Sequence, residues 1–141
     1  MKYIQDSDLT SVIQKRFLDD STANIAGDNS ILDNLELKAI DYVISYISGR
    51  YKTDIIFDEA SPLRTGVLLQ IIAQIVVYRA VKRNAARKVP EDYVTLMSDS
   101  TKQLERIQSG AMALPGLPLV TSSDGTRPLM YGNNKNLDFF I

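Results

Sequence analysis

The chain has 141 residues, 45% of them hydrophobic and 23% charged, with 16 Lys plus Arg against 17 Asp plus Glu and no His, Cys or Trp. That composition belongs to one globular domain of ordinary size, and it excludes disulfides, thiolate nucleophiles and Cys-ligated clusters. It also removes the usual general base near neutral pH and nearly all transition-metal sites. An enzyme here would have carboxylates, Lys, Tyr and Ser to work with, and the reading adopted is a non-enzyme with no cofactor and no metal. The net charge of −1 is unevenly spread. Residues 1–60 carry eleven acidic and six basic side chains, net −5, and residues 61–141 carry six acidic and ten basic, net +4. Chance can produce such a split, but an acidic half and a basic half on one chain also allow copies to attract each other head to tail.

Met1-Lys2-Tyr3-Ile4-Gln5-Asp6 turns acidic before an apolar leader could form, so synthesis in the cytosol is expected. Asp6 or Ser7 is placed to cap a first helix over 7–19, with Leu9, Val12, Ile13 and Phe17 on one side. Residues 20–30 are small and polar and read as a loop. A second helix is expected over about 31–48, burying Ile40, Val43, Ile44 and Ile47, with Gly49 as its stop. Tyr42 and Tyr46 fall on another stripe, as half-buried aromatics or as part of a subunit contact. Residues 50–60 form a linker bearing Ile55-Ile56-Phe57.

Ser61-Pro62 predicts the start of a third helix running to about 87. From Val67 to Ala80 it is apolar on nearly all sides, which suits a central helix covered by neighbours. Gln70 and Gln74 interrupt its apolar run, which is too short for a membrane span. Arg79, Lys82, Arg83, Arg87 and Lys88 make its far end basic. These cations can simply serve the helix C-terminus and solvent, or face acids of a neighbouring copy, or line a DNA channel. Val89-Pro90 breaks that helix and starts a fourth, with Tyr93, Met97, Leu104 and Ile107 as its apolar stripe and Ser109-Gly110 as its stop.

Residues 111–141 differ in kind. Pro115, Gly116 and Pro118 bar a helix past Leu114, and Asp124-Gly125 offers a short β-hairpin. Such an apolar segment docks either on its own domain or on a partner. The expected division is a helical body over 1–110 and an extended arm over 111–141, with Leu114, Leu117, Leu119, Tyr131, Phe139 and Phe140 as partner-binding anchors. No P-loop or dinucleotide fingerprint is present. Asp33 and Glu36 are the one acidic pair at helical spacing inside an expected helix, so a carboxylate-only Mg enzyme would have to use them.

Two segments carry a resemblance. One runs from Val89-Pro90-Glu91-Asp92-Tyr93 to Gln108-Ser109-Gly110-Ala111-Met112-Ala113-Leu114-Pro115-Gly116-Leu117; the other is Ile40 through Ser48-Gly49-Arg50-Tyr51. With Tyr3-Ile4, Asp8-Leu9 and Phe17, they resemble the small Mu-like head–tail connector (neck, or adaptor) proteins of tailed phages and prophages. The likeness covers most of residues 1–120 and is weak over 121–141. It implies an all-α, four-helix connector-type bundle with one long central helix and an extended C-terminal arm. It further implies a ring of twelve copies beneath the portal protein, contacting a tail or second neck-ring protein and surrounding the genomic DNA without reading it. The place implied is the virion neck, assembled in the host cytoplasm with no membrane involved. The alternative is a small helical prophage module or regulator that binds one partner through its arm.

Overall fold

In the computed structural model, residues 2–22, 30–84 and 88–121 are described. Among them are six helices: α1 (Asp6–Thr10), α2 (Lys15–Thr22), α3 (Ser30–Ile47), α4 (Thr53–Ile56), α5 (Gly66–Asn84) and α6 (Glu91–Ser109). No strand occurs among these residues, only an isolated antiparallel bridge between Tyr51 and Leu119. The described residues are all-α. Residues 23–29, Arg87 and the 124–125 turn fall outside the described residues.

The core is built around α5, which packs against α1, α2, α3 and α6. Leu68, Ile71, Ile72, Ala73, Ile75, Val76, Val77 and Ala80 are all fully buried, which is why this helix is apolar on every side. Gln74 is buried too. Its Oε1 accepts a hydrogen bond from the buried Ser100 hydroxyl of α6 at 2.7 Å, so the polar interruption in the apolar run is satisfied inside the α5–α6 hairpin. Gln70, one turn earlier, is exposed.

The single helix expected over 7–19 is two. Gln5, not Asp6 or Ser7, is the N-cap residue, and its N–H donates to Asp8 Oδ2. After Thr10 the chain turns, then restarts with Phe17 and Leu18 N–H groups donating to the Gln14 carbonyl. The break shifts the helical phase, so Leu9, Ile13 and Leu18 are buried while Phe17 stands 53% exposed. The face of α3 is also rotated from the expected one. Leu32, Glu36, Ala39, Val43 and Ile47 are buried, and Ile40 and Ile44 are only half-buried.

α5 starts at Gly66, not at Pro62. The Ser61 N–H and hydroxyl both donate to Asp58 Oδ2, at 3.1 and 3.0 Å, so the hydroxyl that would cap a helix closes a turn instead. The following residues stay extended and tie down the N-terminal segment: Tyr3 Oη donates to the Leu63 carbonyl, and Arg64 Nε donates to the Tyr3 carbonyl. The linker before it contains α4, whose Ile56 is buried. At the other end α6 stops as expected, with Gly110 in the left-handed conformation at φ 90° and its N–H on the Ile107 carbonyl.

The division after residue 110 falls inside a packed unit. Leu114 is 3% and Leu117 8% exposed in the same core as α5, so the described body continues to residue 121.

Candidate partner-binding surfaces

Three surfaces collect the residues that sequence patterning singles out, together with some that it passes over. The first is a clamp between residues 50–52 and the segment that follows α6. Lys52 N–H donates to the Pro118 carbonyl at 3.0 Å, and Val120 N–H to the Arg50 carbonyl at 2.9 Å, flanking the Tyr51–Leu119 bridge. Arg50 Nη1 donates to the Ile107 carbonyl at 2.7 Å, where a cation suits the C-terminal end of α6. Tyr51 is 2% exposed, and its hydroxyl oxygen accepts the Leu114 N–H at 2.8 Å. Leu114 and Leu117 are thereby turned inward as core residues, and Leu119 packs beside them half-buried. They do not point out toward a partner. Tyr131, Phe139 and Phe140 lie outside the described residues. Tyr51→Phe removes the sole hydrogen-bond acceptor shown for a buried N–H, so it should cost about 1–3 kcal/mol in urea denaturation.

The second surface is the basic end of α5. Arg79 is half-buried, with its guanidinium 5.5 Å from the Tyr42 ring centroid, and so acts as a packing residue between α5 and α3. Lys82 and Arg83 are exposed, and Lys82 Nζ lies 5.9 Å from the Tyr78 ring. Lys88 is exposed, 4.0 Å from Glu91 Oε1. The expected row of Arg79, Arg83 and Arg87 therefore divides, with Arg79 turned to the protein and Arg83 to the surface, while Arg87 is not among the described residues.

Beside Arg79, Tyr42 and Tyr46 share a hydroxyl–hydroxyl contact at 3.2 Å, and Tyr42 Oη is 3.3 Å from Thr101 Oγ1. The hydrogen bond to Tyr42 pushes the Tyr46 phenol up to about 12, with burial and Glu105 adding to it. Near the N-terminus, burial pushes the Tyr3 phenol up to about 12 against a lowering by the Thr65 main chain and by Arg64. Both folded values lie above the ordinary 10, so the stability these groups contribute is complete below pH 10 and lost as pH rises from 10 to about 12. Absorbance at 295 nm should show the late ionisations contributed by Tyr3 and Tyr46 in the folded chain and their return to the ordinary range in urea. Tyr3→Phe and Tyr46→Phe should each remove one late step.

The third surface surrounds the N-terminal segment. The Glu36 carboxylate, 3% exposed, accepts three main-chain N–H groups: Lys2 on Oε2 at 2.8 Å, Tyr3 on Oε1 at 2.8 Å and Ile4 on Oε1 at 2.7 Å. Its oxygens are thus committed to the backbone of residues 2–4. Tyr3 stacks at 4.9 Å on Phe57, and Arg64 Nη2 reaches Asp8 Oδ2 at 2.7 Å. Over this lock lies a cleft of about 390 Å³, walled by Leu37, Ile40, Phe57 and Pro62 and rimmed by Asp33, Asp58 and Glu59. Leu37 is 58% exposed there. The sequence signal for it is slight: Leu37 sits one residue off the buried stripe, next to a glutamate that takes the core position.

Among the described residues no group of three or more Asp or Glu side chains could hold a metal ion, and no helix is long and apolar enough to cross a membrane. No family model matches the chain, and no curated protein sequence matches it either.

Proposed function

We propose that this chain is a structural head–tail connector subunit of a tailed phage or prophage, working by contact and without a reaction of its own. In this reading copies form a ring, twelve by the resemblance, beneath the portal protein and around the DNA channel. The observation that carries it is the meeting of the two segments most like the connector family. Ser48-Gly49-Arg50-Tyr51 and Gly110 to Leu117 are about sixty residues apart, yet Tyr51 Oη holds the Leu114 N–H and Arg50 holds the last turn of α6. A likeness confined to chance helical patterning would give no reason for its two non-helical pieces to form one clamp.

The clamp also assigns the arm. Leu114 and Leu117 are buried in the core, and in this reading the partner-binding role passes to Tyr131, Phe139 and Phe140, which lie outside the described residues. Co-expression of the full chain with the portal protein of the phage or prophage that encodes it tests this. Negative-stain images should show a collar of copies on the portal ring. A one-to-one complex with some other protein, and no collar, would replace the connector by a single-partner module.

A further inference from the structure

We propose that the acidic cleft over the N-terminal lock is one half of a head-to-tail contact between copies of this chain, and that the α5–α6 ridge around Tyr78, Lys82 and Val94 of a second copy is the other half. This deepens the ring reading and rests on it only in that copies meet copies.

The cleft has the form of a receptor for an apolar anchor carried among cations. Its walls are Leu37, Ile40, Phe57 and Pro62, and Leu37 keeps 58% of its surface in solvent inside a concavity. Apolar surface gathered in a hollow and rimmed by charge marks a contact site more strongly than a lone exposed leucine would. On the rim stand Asp33, Asp58 and Glu59, with Lys2 the one cation among the lining residues. Lys2 bonds Glu59 at 2.7 Å, but both side chains are more than two-thirds exposed. Such a surface pair is worth little and exchanges readily for another cation.

The ridge has the matching chemistry. Tyr78 and Val94 share one shallow surface hollow, Val94 is 45% exposed, and Lys82 Nζ lies 5.9 Å from the Tyr78 ring. Exposed Arg83 and Lys88 extend the positive edge on either side of the α5–α6 connection. Lys102 and Glu105 line the same hollow, and Glu91 and Asp92 stand next to Lys88 at the start of α6, so the positive character of the ridge rests on Lys82 and Arg83. Apolar anchors flanked by carboxylates on one surface, and apolar anchors flanked by ammonium groups on another, give both attraction and register. Because the two surfaces differ, the contact is heterologous and repeats from copy to copy, closing into a ring or running on as a filament.

The absence of native cysteine makes a direct test clean. Ala60→Cys beside the cleft rim and Ser98→Cys in the Tyr78–Val94 hollow, both exposed positions that leave every named charge in place, are prepared separately in the full chain, mixed at low salt and oxidised mildly. The mixed disulfide should exceed either like-with-like product by about fivefold or more, and the excess should shrink at high ionic strength. Adding Leu37→Asp to the Ala60→Cys chain should reduce the mixed product to the like-with-like level. Equal yields of all three products, or a mixed yield indifferent to salt and to Leu37→Asp, would overturn the contact. Mixed cross-links without a collar on the portal would uphold the contact and sink the connector reading. A portal collar whose copies do not cross-link at these positions would do the reverse.

Discussion

Glu36→Ala should lower the stability of the chain by about 3–6 kcal/mol, because three main-chain N–H groups lose a charged acceptor at once and two of them are buried. The loss compares with the whole stability of a small domain, about 5–15 kcal/mol, so the variant stands near the edge of folding. Glu36→Gln keeps the folded state within reach. Its amide oxygen can still accept, but its NH2 group meets main-chain donors, and a cost of about 1–3 kcal/mol follows. Urea denaturation gives the totals, and hydrogen exchange at the Tyr3 and Ile4 amides shows whether the N-terminal segment comes free first. Leu37→Ser, at the next residue of the same helix but exposed, should change stability by less than about 0.5 kcal/mol. If Glu36→Ala unfolds at the same urea concentration as the parent chain, the carboxylate does not hold the segment.

The same residue explains why some of the fold is legible in the sequence and some is not. Helices α3, α5 and α6 announce themselves through apolar spacing, a proline at the start and a glycine at the end of α6, and an all-apolar stretch in α5. Those signals are local, and the structure keeps them. The face of α3 is misjudged because a glutamate occupies a core position, which spacing alone scores as solvent-facing. Its partners are backbone groups of residues 2–4, and no side-chain pattern reports a main-chain donor thirty residues away. Ser61-Pro62 fails for a related reason: a capping hydroxyl serves whichever acceptor or donor lies nearest, and Asp58 is nearer than the helix. The break in the first helix follows from tertiary packing, since only a phase shift buries Leu9, Ile13 and Leu18 together.

The candidate surfaces divide in the same way. Composition shows that charge is polarised along the chain, and patterning finds the basic end of α5. Neither can tell that Arg79 turns onto Tyr42 while Lys82 stays outside, because both lie on the same cationic helix end and only the neighbour across α3 separates them. Nor does the arm's composition reveal its division. Leu114 and Leu117 read from sequence as exposed apolar residues on a proline-broken chain, and it is the buried hydroxyl of Tyr51 that ties Leu114 into the core.

That division sets the second large effect. Ending the chain after Thr121 should leave the body folded, with a melting temperature within a few degrees of the full chain, and, on the proposed connector function, should abolish collar formation on the portal. Ending it after Gly110 should unfold or aggregate the protein. That cut removes the buried Leu114 and Leu117, uncovers Tyr51, and strips the main-chain bonds made by Lys52 and Arg50. Burial of one leucine alone is worth about 2–5 kcal/mol on replacement by alanine, so the shorter chain loses on the order of 4 kcal/mol or more. For a domain of this size that corresponds to a melting temperature lower by on the order of 15 °C. Leu114→Ala in the full chain keeps the test readable if the shorter chain cannot be purified, with an expected loss of about 2–5 kcal/mol and intact portal binding when folded. Thermal denaturation and portal pull-down together separate the outcomes. A chain ending at Thr121 that melts as early as one ending at Gly110 would move the body's edge beyond residue 121. One that folds and still builds a collar would take the partner-binding role away from Tyr131, Phe139 and Phe140, and leave the ring to rest on the helical body alone.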